Sequence, residues 1–417
     1  MKILFLADNY PPEVNAPAAR THAHCREWVR AGAEVTVITC APNFPRGRVF
    51  PGYRNRLCQT EVLDGIQVIR VWSYMAPNAG FARRILDYLS FAASAGVASL
   101  REDFDVLVAT SPQFFTAVAG LAVGFLKRRP WVFELRDLWP ESIVATGAMN
   151  RGRTIELLER LEMTLYRSAD QIVAVTESFR DQLQARGVDP RKIRVVTNGV
   201  DRSEFDGVTR EAGPASKPFR VGYLGTHGLA HGLEVVLEAA PMLAPYEVEF
   251  VLVGDGARKP WLEEEARKRD VAGVRFHDPV PREAIPHVLD GFDACLVPLR
   301  DSPTFTSVIP SKIFEAAAAR RPILLGVRGE AARIVEAHGA GLTFVPESPS
   351  ELAAAIRRLI REPGLYATLQ RGCEDLAAAY DREVLAKSML AGLEELARPA
   401  VGTGRPLAGG AIHADGG

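Results

Sequence analysis

The chain has 417 residues, of which 47% are hydrophobic and 24% are charged, and its formal net charge is −1. This length predicts two domains with sizeable cores, and the even balance of charges argues against nucleic acid as a partner. The five cysteines are scattered and form no C-x-x-C pair, which is typical of a reducing compartment and argues against a structural zinc site. Because no apolar run reaches the length of a membrane span, we expect a cytoplasmic protein.

The first half alternates short apolar runs with longer segments of helical periodicity. The predicted strands cover residues 2–7, 34–39, 66–72, 106–110, 131–135, 171–176 and 194–197. The predicted helices cover residues 18–31, 81–100 and 114–126, and residues 43–59 indicate a long surface loop. This alternation predicts an α/β fold with a parallel, doubly wound sheet.

The second half repeats this organisation after a polar stretch rich in glycine and proline. Its predicted strands cover residues 219–224, 247–253, 274–277, 294–298 and 323–326, with helices between them. We expect a first Rossmann-like domain over residues 1–205, a linker over 206–218 and a second Rossmann-like domain over 219–382. Residues 383–398 predict a terminal helix that packs back on the first domain, and residues 399–417 a disordered tail.

One stretch of the second half, residues 309–325, combines a helix start with two charged side chains. Pro310 has a preset φ angle and the hydroxyl of Ser311 can cap a helix, so we expect a helix to begin here. A helix N-terminus attracts phosphate, and Lys312 beside it can neutralise a diphosphate. Glu315 shares the same helix face, where it can accept hydrogen bonds from both hydroxyls of a ribose. The alternative is a surface Lys–Glu pair that binds no ligand.

A glycine-rich loop follows the first predicted strand of the second half. Gly225, Thr226, His227 and Gly228 stand where a backbone can approach a ligand phosphate. Their spacing departs from the G-x-G-x-x-G fingerprint of dinucleotide sites at its first interval. Asp255 nevertheless ends the next strand, where a dinucleotide site places its ribose-binding acid, so a nicotinamide-dependent oxidoreductase stays open as an alternative.

Two further patterns have the spacing of metal-binding motifs. Asp103 and Asp105 match the D-x-D pattern of metal-dependent sugar transferases, but they precede their strand, whereas such sheets bind ligands beyond the carboxyl ends of their strands. His227 and His231 have the spacing of paired zinc ligands on a helix, but glycines flank both and no third ligand is in view. We therefore predict neither a metal ion nor a cofactor.

Six motifs together resemble a known family. Four of them are Asn-Gly-Val-Asp-Arg-Ser-Glu-Phe at 198–205, Tyr-Leu-Gly-Thr-His-Gly at 223–228, Phe-Val-Leu-Val-Gly-Asp-Gly-Ala at 250–257 and Pro-Ser-Lys-Ile-Phe-Glu-Ala at 310–316. They resemble the nucleotide-sugar domain of retaining glycosyltransferases of family 4, which have the GT-B fold of two facing Rossmann-like domains. Residues 12–21 and 136–142 resemble a narrower branch that builds O-antigen and capsule repeat units and includes N-acetyl-L-fucosamine transferases. The resemblance covers roughly residues 1–395.

The resemblance implies that a sugar moves from a UDP-sugar, by same-face attack, to a glycan linked to undecaprenyl diphosphate. The donor-binding residues that it implies are Gly225, Thr226, His227, Gly228, Asp255, Thr306, Ser307, Ser311, Lys312 and Glu315. The first domain is expected to bind the acceptor beside Arg136, Asp137 and Glu13, which together with Lys312 are the predicted catalytic residues.

The chain departs from the family pattern around the donor. The family carries two glutamates eight positions apart; Glu315 matches the second, but Ser307 stands in place of the first. The arginine and lysine that usually grip the diphosphate have no match near residues 227–232, so Lys312 becomes the main cation. The lost glutamate leaves a second alternative, a catalytically inactive protein that binds a nucleotide sugar.

A lipid-linked acceptor would bring the protein to the inner membrane surface as a peripheral protein. Residues 81–100 predict an apolar helix with Arg83 and Arg84 near its start, and residues 126–131 add a basic cluster. Cations beside an apolar face suit an anionic lipid surface. The alternative is an ordinary core helix with a solvated basic end.

Overall fold

The computed structural model describes residues 1–44, 47–75, 81–138, 152–207 and 218–398, without the side chains of Phe81 and Ala82. The predicted linker at 206–218, the predicted tail at 399–417 and the motif residues 139–142 fall wholly or mostly outside these ranges. Within them the chain forms two sheets flanked by helices.

The first sheet contains eight strands. They are β1 (Lys2–Leu6), β2 (Glu34–Cys40), β3 (Cys58–Leu63), β4 (Ile66–Val71), β5 (Val106–Thr110), β6 (Trp131–Leu135), β7 (Gln171–Ala174) and β8 (Ile193–Val195). Their order is β3-β4-β2-β1-β5-β6-β7-β8, and every pair is parallel except β3 with β4. Because β1 pairs with both β2 and β5, the strand order reverses there, and the loops after β1 and β5 share the ligand-binding edge.

Apolar layers cover the two faces of this sheet. The helices of the first half are α1 (Ala16–Arg30), α2 (Phe81–Ser99), α3 (Phe114–Lys127), α4 (Arg153–Ser168) and α5 (Glu177–Ala185). Asn15 caps α1 by accepting a hydrogen bond from Ala18 N at 2.8 Å, and Gly32 follows the helix end with φ +90°. One layer includes residues of α2 to α5, and the other includes residues of α1.

The second sheet contains six parallel strands. They are β9 (Phe219–Leu224), β10 (Val248–Val253), β11 (Val274–His277), β12 (Ala294–Pro298), β13 (Ile323–Gly326) and β14 (Gly341–Thr343), in the order β11-β10-β9-β12-β13-β14. The accompanying helices are α6 (Glu234–Ala239), α7 (Lys259–Lys268), α8 (Ile285–Asp290), α9 (Lys312–Ala318), α10 (Glu330–His338), α11 (Pro349–Arg361) and α12 (Leu365–Ala379). Because β9 lies between β10 and β12, the loops after these three strands converge at one edge.

The chain returns from the second half to the first at residues 380–382. Val200 N donates to Tyr380 O at 3.1 Å, and Arg382 N donates back to Val200 O at 2.9 Å. A Cβ on Gly199 would lie 2.1 Å from Tyr380 O, so only glycine permits this close approach. The terminal helix α13 (Arg382–Ala397) then packs on the first sheet, where Trp28 Nε1 donates to Ala386 O at 2.9 Å.

The α/β fold predicted from the sequence is confirmed, and the bounds of β5, β6, β9, β11, β12 and β13 are those predicted. The predicted loop at 43–59 is wrong at its end, because β3 begins at Cys58, and the three-residue β14 was not predicted. Asp103 and Asp105 lie before β5, at the amino edge of the sheet, where Asp103 Oδ2 accepts a hydrogen bond from Lys2 Nζ at 2.9 Å. None of the helices within the described ranges is long and apolar enough to span a bilayer.

Candidate active site

Lys312 lies at the start of α9 with the end of its side chain against the glycine turn that follows β9. A Cβ on Gly225, whose φ is +138°, would lie 2.6 Å from Lys312 Cε and 2.8 Å from Nζ. The ammonium also lies 5.3 Å from the centroid of the Tyr223 ring, whose face attracts a cation. The two motifs that the sequence predicted to bind the donor therefore meet in the fold.

Glu315 lies one turn further along α9 and lines the same small cavity as Lys312, together with Gly222 and Leu224. Burial raises the pKa of the Glu315 carboxyl, and the charge of Lys312 partly offsets this rise. Burial also lowers the pKa of Lys312, and Glu315 opposes that change. In the described part of the chain neither side chain makes a hydrogen bond or an ion pair. Both charged groups are therefore available to a ligand.

The turn at residues 225–228 is supported by the loop after β10. His227 N donates to Asp255 O at 2.8 Å, and a Cβ on Gly254 would lie 1.9 Å from Gly225 O. The side chain of Asp255 is exposed and accepts a hydrogen bond from Gly256 N at 2.8 Å. These contacts show Asp255 stabilising the loop, while its predicted contact with the donor stays a prediction.

Two histidines follow the glycine turn. His227 is fully buried, with its ring centroid 5.7 Å from that of Tyr223 and 6.4 Å from that of Phe276. Burial lowers the pKa of His227 to about 4 and also lowers the pKa of His231. Both imidazoles are therefore neutral at neutral pH, and the cations that act on His227 are Lys259 and Lys312. Across the residues that the structure describes, no group of three or more histidine, cysteine or acidic side chains could hold a metal ion.

The residues before α9 form a short 3₁₀ turn, Pro303–Ser307, in which Ser307 is half-buried and Thr306 exposed. The Thr306 hydroxyl donates to the carbonyl oxygen of Pro303 at 2.7 Å, so it is engaged within the turn. Ser311 directly precedes α9, but its hydroxyl accepts no capping hydrogen bond. The predicted cap is wrong because Ser311 already has helical torsions, φ −57° and ψ −23°, whereas a capping residue is usually extended.

Glu13 lies buried among the loops at the carboxyl edge of the first sheet. Its Oε1 accepts hydrogen bonds from Asn43 N at 2.7 Å and Phe44 N at 2.8 Å. Its Oε2 accepts from Asn9 Nδ2 at 2.9 Å and from Asn15 Nδ2 at 3.5 Å. Both oxygens are thus engaged in joining two loops. The catalytic role of Glu13 stays a prediction, and these contacts favour a structural role.

Arg136 and Asp137 follow β6 at the same edge of the first sheet. Arg136 N donates to Ser111 Oγ at 2.7 Å, and its guanidinium donates to Pro17 O at 3.3 Å. Burial lowers the pKa of Arg136 to about 10, so the side chain keeps its charge at neutral pH. Asp137 is half-buried on the same loop. Both residues therefore lie at the sheet edge where the sequence predicted the acceptor.

A buried ion pair near Arg136 was not predicted. Arg20 on α1 donates through Nε to Glu134 Oε1 on β6 at 2.9 Å, and through its terminal nitrogen to Val196 O at 2.7 Å. Burial alone would raise the pKa of Glu134, but Arg20 and Arg136 outweigh it and lower that pKa to about 2. A glutamate inside the apolar strand Trp-Val-Phe-Glu-Leu was the available sequence signal, because a buried charge requires a partner.

Two family models match the chain. The model described as a glycosyl transferase 4-like domain matches residues 15–199, and that described as glycosyl transferases group 1 matches residues 218–362. Neither model is one of nicotinamide-dependent oxidoreductases, so the oxidoreductase alternative has no support.

Among curated relatives, the Pseudomonas aeruginosa protein provisionally named glycosyltransferase WbjE is 28% identical over 265 residues. That match covers 60% of this chain and 64% of WbjE, so the chain spans less than two thirds of this relative. The Escherichia coli protein WcaI, provisionally named a colanic acid biosynthesis glycosyl transferase, is 25% identical over 390 residues, which are 87% of this chain and 93% of WcaI.

Solved glycosyltransferase structures share the fold. Sucrose-phosphate synthase from Thermosynechococcus elongatus has a TM-score of 0.71 at 17% identity, covering 95% of this chain and 98% of that one. Anabaena Alr3699/HepE in complex with UDP and glucose has a TM-score of 0.65 at 19% identity, covering 95% and 100%. At these identities the likeness establishes the fold alone, and the family models supply the class. The chain therefore belongs to the glycosyltransferase family 4 group of GT-B enzymes.

Proposed function

We propose that the protein transfers a sugar from a UDP-sugar, with retention of configuration, to a lipid-linked glycan during the biosynthesis of a cell-surface polysaccharide. The observation that carries the proposal is the meeting of Lys312, Glu315 and the Gly225 turn at the carboxyl edge of the second sheet. Lys312 would neutralise the diphosphate, and Glu315 would accept hydrogen bonds from the ribose. The turn would let the backbone approach the phosphates, because glycine carries no side chain.

Similar proteins support a UDP-sugar as the donor and polysaccharide biosynthesis as the pathway. HepE has been solved with UDP and glucose and also with UDP-glucose. The provisional name of WcaI assigns it to colanic acid biosynthesis. The motifs at 12–21 and 136–142 carry the finer proposal, a place in the branch that contains N-acetyl-L-fucosamine transferases and builds O-antigen and capsule units.

The proposed reaction needs one cation at the leaving diphosphate and no enzymic base. As the glycosidic bond breaks, negative charge accumulates on the diphosphate, and Lys312 would stabilise that charge. The departing phosphate can itself accept the proton of the acceptor hydroxyl, which agrees with the engagement of both Glu13 oxygens elsewhere. Because Lys312 takes the role that a metal has in other transferases, we expect transfer to survive EDTA. Activity that is lost in EDTA and restored by Mg²⁺ or Mn²⁺ would contradict this.

In this proposal the first domain, residues 1–205, binds the acceptor and the second, residues 219–382, binds the donor. Arg136 and Asp137 contact a glycan linked to undecaprenyl diphosphate. The protein works at the cytoplasmic side of the inner membrane as a peripheral protein, because the acceptor is anchored there.

The experiment is a ligand panel followed by a transfer assay. We expect UDP-sugars to raise the melting temperature of the purified protein, since a ligand that binds only the native state stabilises it. A GDP-sugar and NADH serve as matched controls and should have no effect. Stabilisation by NADH, or by the GDP-sugar alone, would contradict the UDP assignment. Stabilisation by a UDP-sugar without transfer to any lipid-linked acceptor would instead identify the inactive binding protein.

A further inference from the structure

Glu330 joins the two halves of the molecule through its side chain. It is the first residue of α10, just beyond the carboxyl end of β13, and only 3% of it is exposed. Its Oε1 accepts a hydrogen bond from Glu177 N at 2.7 Å, and its Oε2 accepts one from Ser178 N at 2.9 Å. Both donors begin α5, which follows β7 of the first sheet. One carboxylate therefore connects the carboxyl edges of the two sheets.

The contact of Glu330 with α5 is strong because a carboxylate binds the N-terminus of a helix. The first backbone N–H groups of a helix have no partner within the helix, and the helix dipole places positive charge there. In α5 the Thr176 hydroxyl accepts from Phe179 N at 3.0 Å, and Glu330 accepts from the two preceding N–H groups. The carboxylate of the second half thus completes the cap of a helix of the first half with two charge-assisted hydrogen bonds.

The same segment also packs on the turn that precedes α9, beside the proposed donor site. Gly329 has φ +81°, and a Cβ there would lie 2.1 Å from Thr306 O. Thr306 belongs to the turn that precedes α9 and Lys312. The chain from Thr306 through Gly329 to Glu330 therefore links the donor turn to α5 by direct contacts, which set where the first half lies relative to the donor site.

We infer that Glu330 is a positioning residue, which fixes the relative orientation of the two halves so that donor and acceptor meet at reacting distance. The inference rests on the proposed glycosyl transfer and adds a residue that contacts neither substrate. Transfer between two bound molecules depends steeply on their placement, and a displacement of about 1 Å can cost about 10²-fold in rate. Loss of the contact should therefore lower turnover while leaving UDP binding to the second half intact.

The contact can be cut from either side. Glu330→Gln removes the charge and places an amide N–H against a backbone N–H. Glu177→Pro removes one of the two donors, and proline is tolerated at the first position of a helix. The preceding Thr176 has φ −143° and ψ 152°, which suits a residue before proline.

Each variant has a matched control. Glu177→Ala removes the same side chain, including its ion pair with Arg180 at 2.5 Å, but keeps the backbone N–H. Glu336→Gln makes the same change of charge on α10 as Glu330→Gln, but Glu336 contacts Thr343 within the second half, at 2.8 Å.

We expect kcat to fall about 10- to 100-fold in Glu330→Gln and in Glu177→Pro, with the UDP dissociation constant from calorimetry unchanged. The double variant should be no slower than the slower of the two single variants, because both substitutions remove the same contact. Small-angle X-ray scattering should show a wider distribution of shapes in both single variants. The two controls, Glu336→Gln and Glu177→Ala, should keep the scattering and the kcat of the wild type.

Three results would overturn the inference: wild-type kcat in folded Glu330→Gln, effects that multiply in the double variant, or a weakening of UDP binding in proportion to the loss of kcat. Scattering separates this inference from the proposed function. If the wild-type protein transfers no sugar, the proposed function fails, and unchanged scattering of Glu330→Gln would then overturn the positioning role as well.

Discussion

Lys312 carries a positive charge in a partly buried position, with the end of its side chain against the Gly225 turn. Its charge should matter more as the diphosphate leaves than when the donor binds, because the negative charge grows during bond cleavage. Lys312→Ala should therefore lower turnover by about 10²–10³-fold, with a smaller effect on UDP binding. Lys312→Arg should rescue only part of the rate, because a guanidinium is wider and meets the Gly225 turn.

Steady-state kinetics and calorimetry of the folded variants would test this. Lys268→Ala is the control, since Lys268 is exposed and pairs with Glu264 on α7, at 2.8 Å, away from the candidate site. Because burial lowers the pKa of Lys312, wild-type activity should also decline at a lower alkaline pH than an exposed lysine would allow, and Lys312→Arg should lack that decline. Wild-type turnover in Lys312→Ala would assign the diphosphate to another cation.

Replacing Glu315 by glutamine should change the stability of the unliganded protein and its affinity for UDP in opposite directions. The raised pKa of its carboxyl means that the ionised form is disfavoured in the folded protein, so this group makes the unliganded fold more stable as pH falls. At neutral pH, Glu315→Gln should thus keep or raise the melting temperature without nucleotide. The same change should weaken UDP binding by about 1–3 kcal/mol, because an amide accepts weaker hydrogen bonds from the ribose. Unchanged UDP affinity in calorimetry would show that the ribose lies elsewhere.

At the scale of elements, the buried pair of Arg20 and Glu134 ties α1 to the centre of the first sheet. Glu134→Gln would leave the arginine charge buried without its counter-charge, so we expect a loss of about 3–5 kcal/mol in the free energy of unfolding. The folded pKa of Glu134 is about 2, below its ordinary value of 4.5. Its contribution to stability is therefore complete above 4.5 and is lost as pH falls towards about 2.

Denaturant unfolding at a series of pH values measures both effects. The control is Glu383→Gln, which removes one partner of an exposed pair with Lys387 on α13 and should cost less than about 1 kcal/mol. If Glu134→Gln proves as stable as this control, the pair does not stabilise the fold.

The strands with continuous apolar runs could be predicted from the sequence, because burial on both faces leaves an unmistakable pattern. The edge strand β3 alternates half-buried with exposed residues and lacks that pattern. Its turn did carry a signal: Asp64 and Gly65 have φ +52° and +79°, and Asp-Gly is a favoured hairpin turn. The three residues of β14 are too few to show any period.

The site was predicted less completely than the fold, for a reason of topology. Lys312 contacts Gly225 because β9 pairs with β12 in the sheet. Hydrophobic periodicity predicts where strands are, but it does not predict their order in the sheet. Motif resemblance supplied the residue types, but the burial of His227 and the engagement of Glu13 depend on long-range packing. Glu330 had no sequence signal, because its partners are backbone groups of the other half.

At the scale of the whole molecule, the two regions predicted to contact a membrane lie at different edges of the first sheet. The helix α2 begins at the carboxyl edge, whereas α3 ends at the amino edge, just before β6. There Lys127 Nζ donates to Glu102 O at 3.0 Å, and Arg129 lies 4.0 Å from Asp103. The basic cluster at 126–131 is thus partly neutralised and lies at the opposite edge of the sheet from the start of α2, so the two regions do not form one surface.

The start of α2 is the better candidate for a membrane contact, because it shares the carboxyl edge with the proposed acceptor site. Arg83 and Arg84 are exposed there, and Leu86 and Leu89 are 55% and 43% exposed. Apolar side chains beside arginines can enter the lipid interface, with each cation near an anionic surface contributing about 1 kcal/mol. The double variant Leu86→Asp, Leu89→Asp should therefore reduce co-sedimentation with phosphatidylglycerol vesicles, and added salt should weaken binding of the wild type.

Leu126→Asp is the matched control, because Leu126 is 63% exposed at the amino edge and should not touch the membrane. The double variant should keep its activity on a water-soluble acceptor analogue and lose it on the lipid-linked acceptor in vesicles, since only the second reaction requires the surface. If Leu126→Asp abolishes vesicle binding and the double variant does not, the membrane contacts the amino edge. The carboxyl edge with the proposed active site would then face away from the bilayer, and an acceptor held in the membrane could not reach Lys312 in this arrangement.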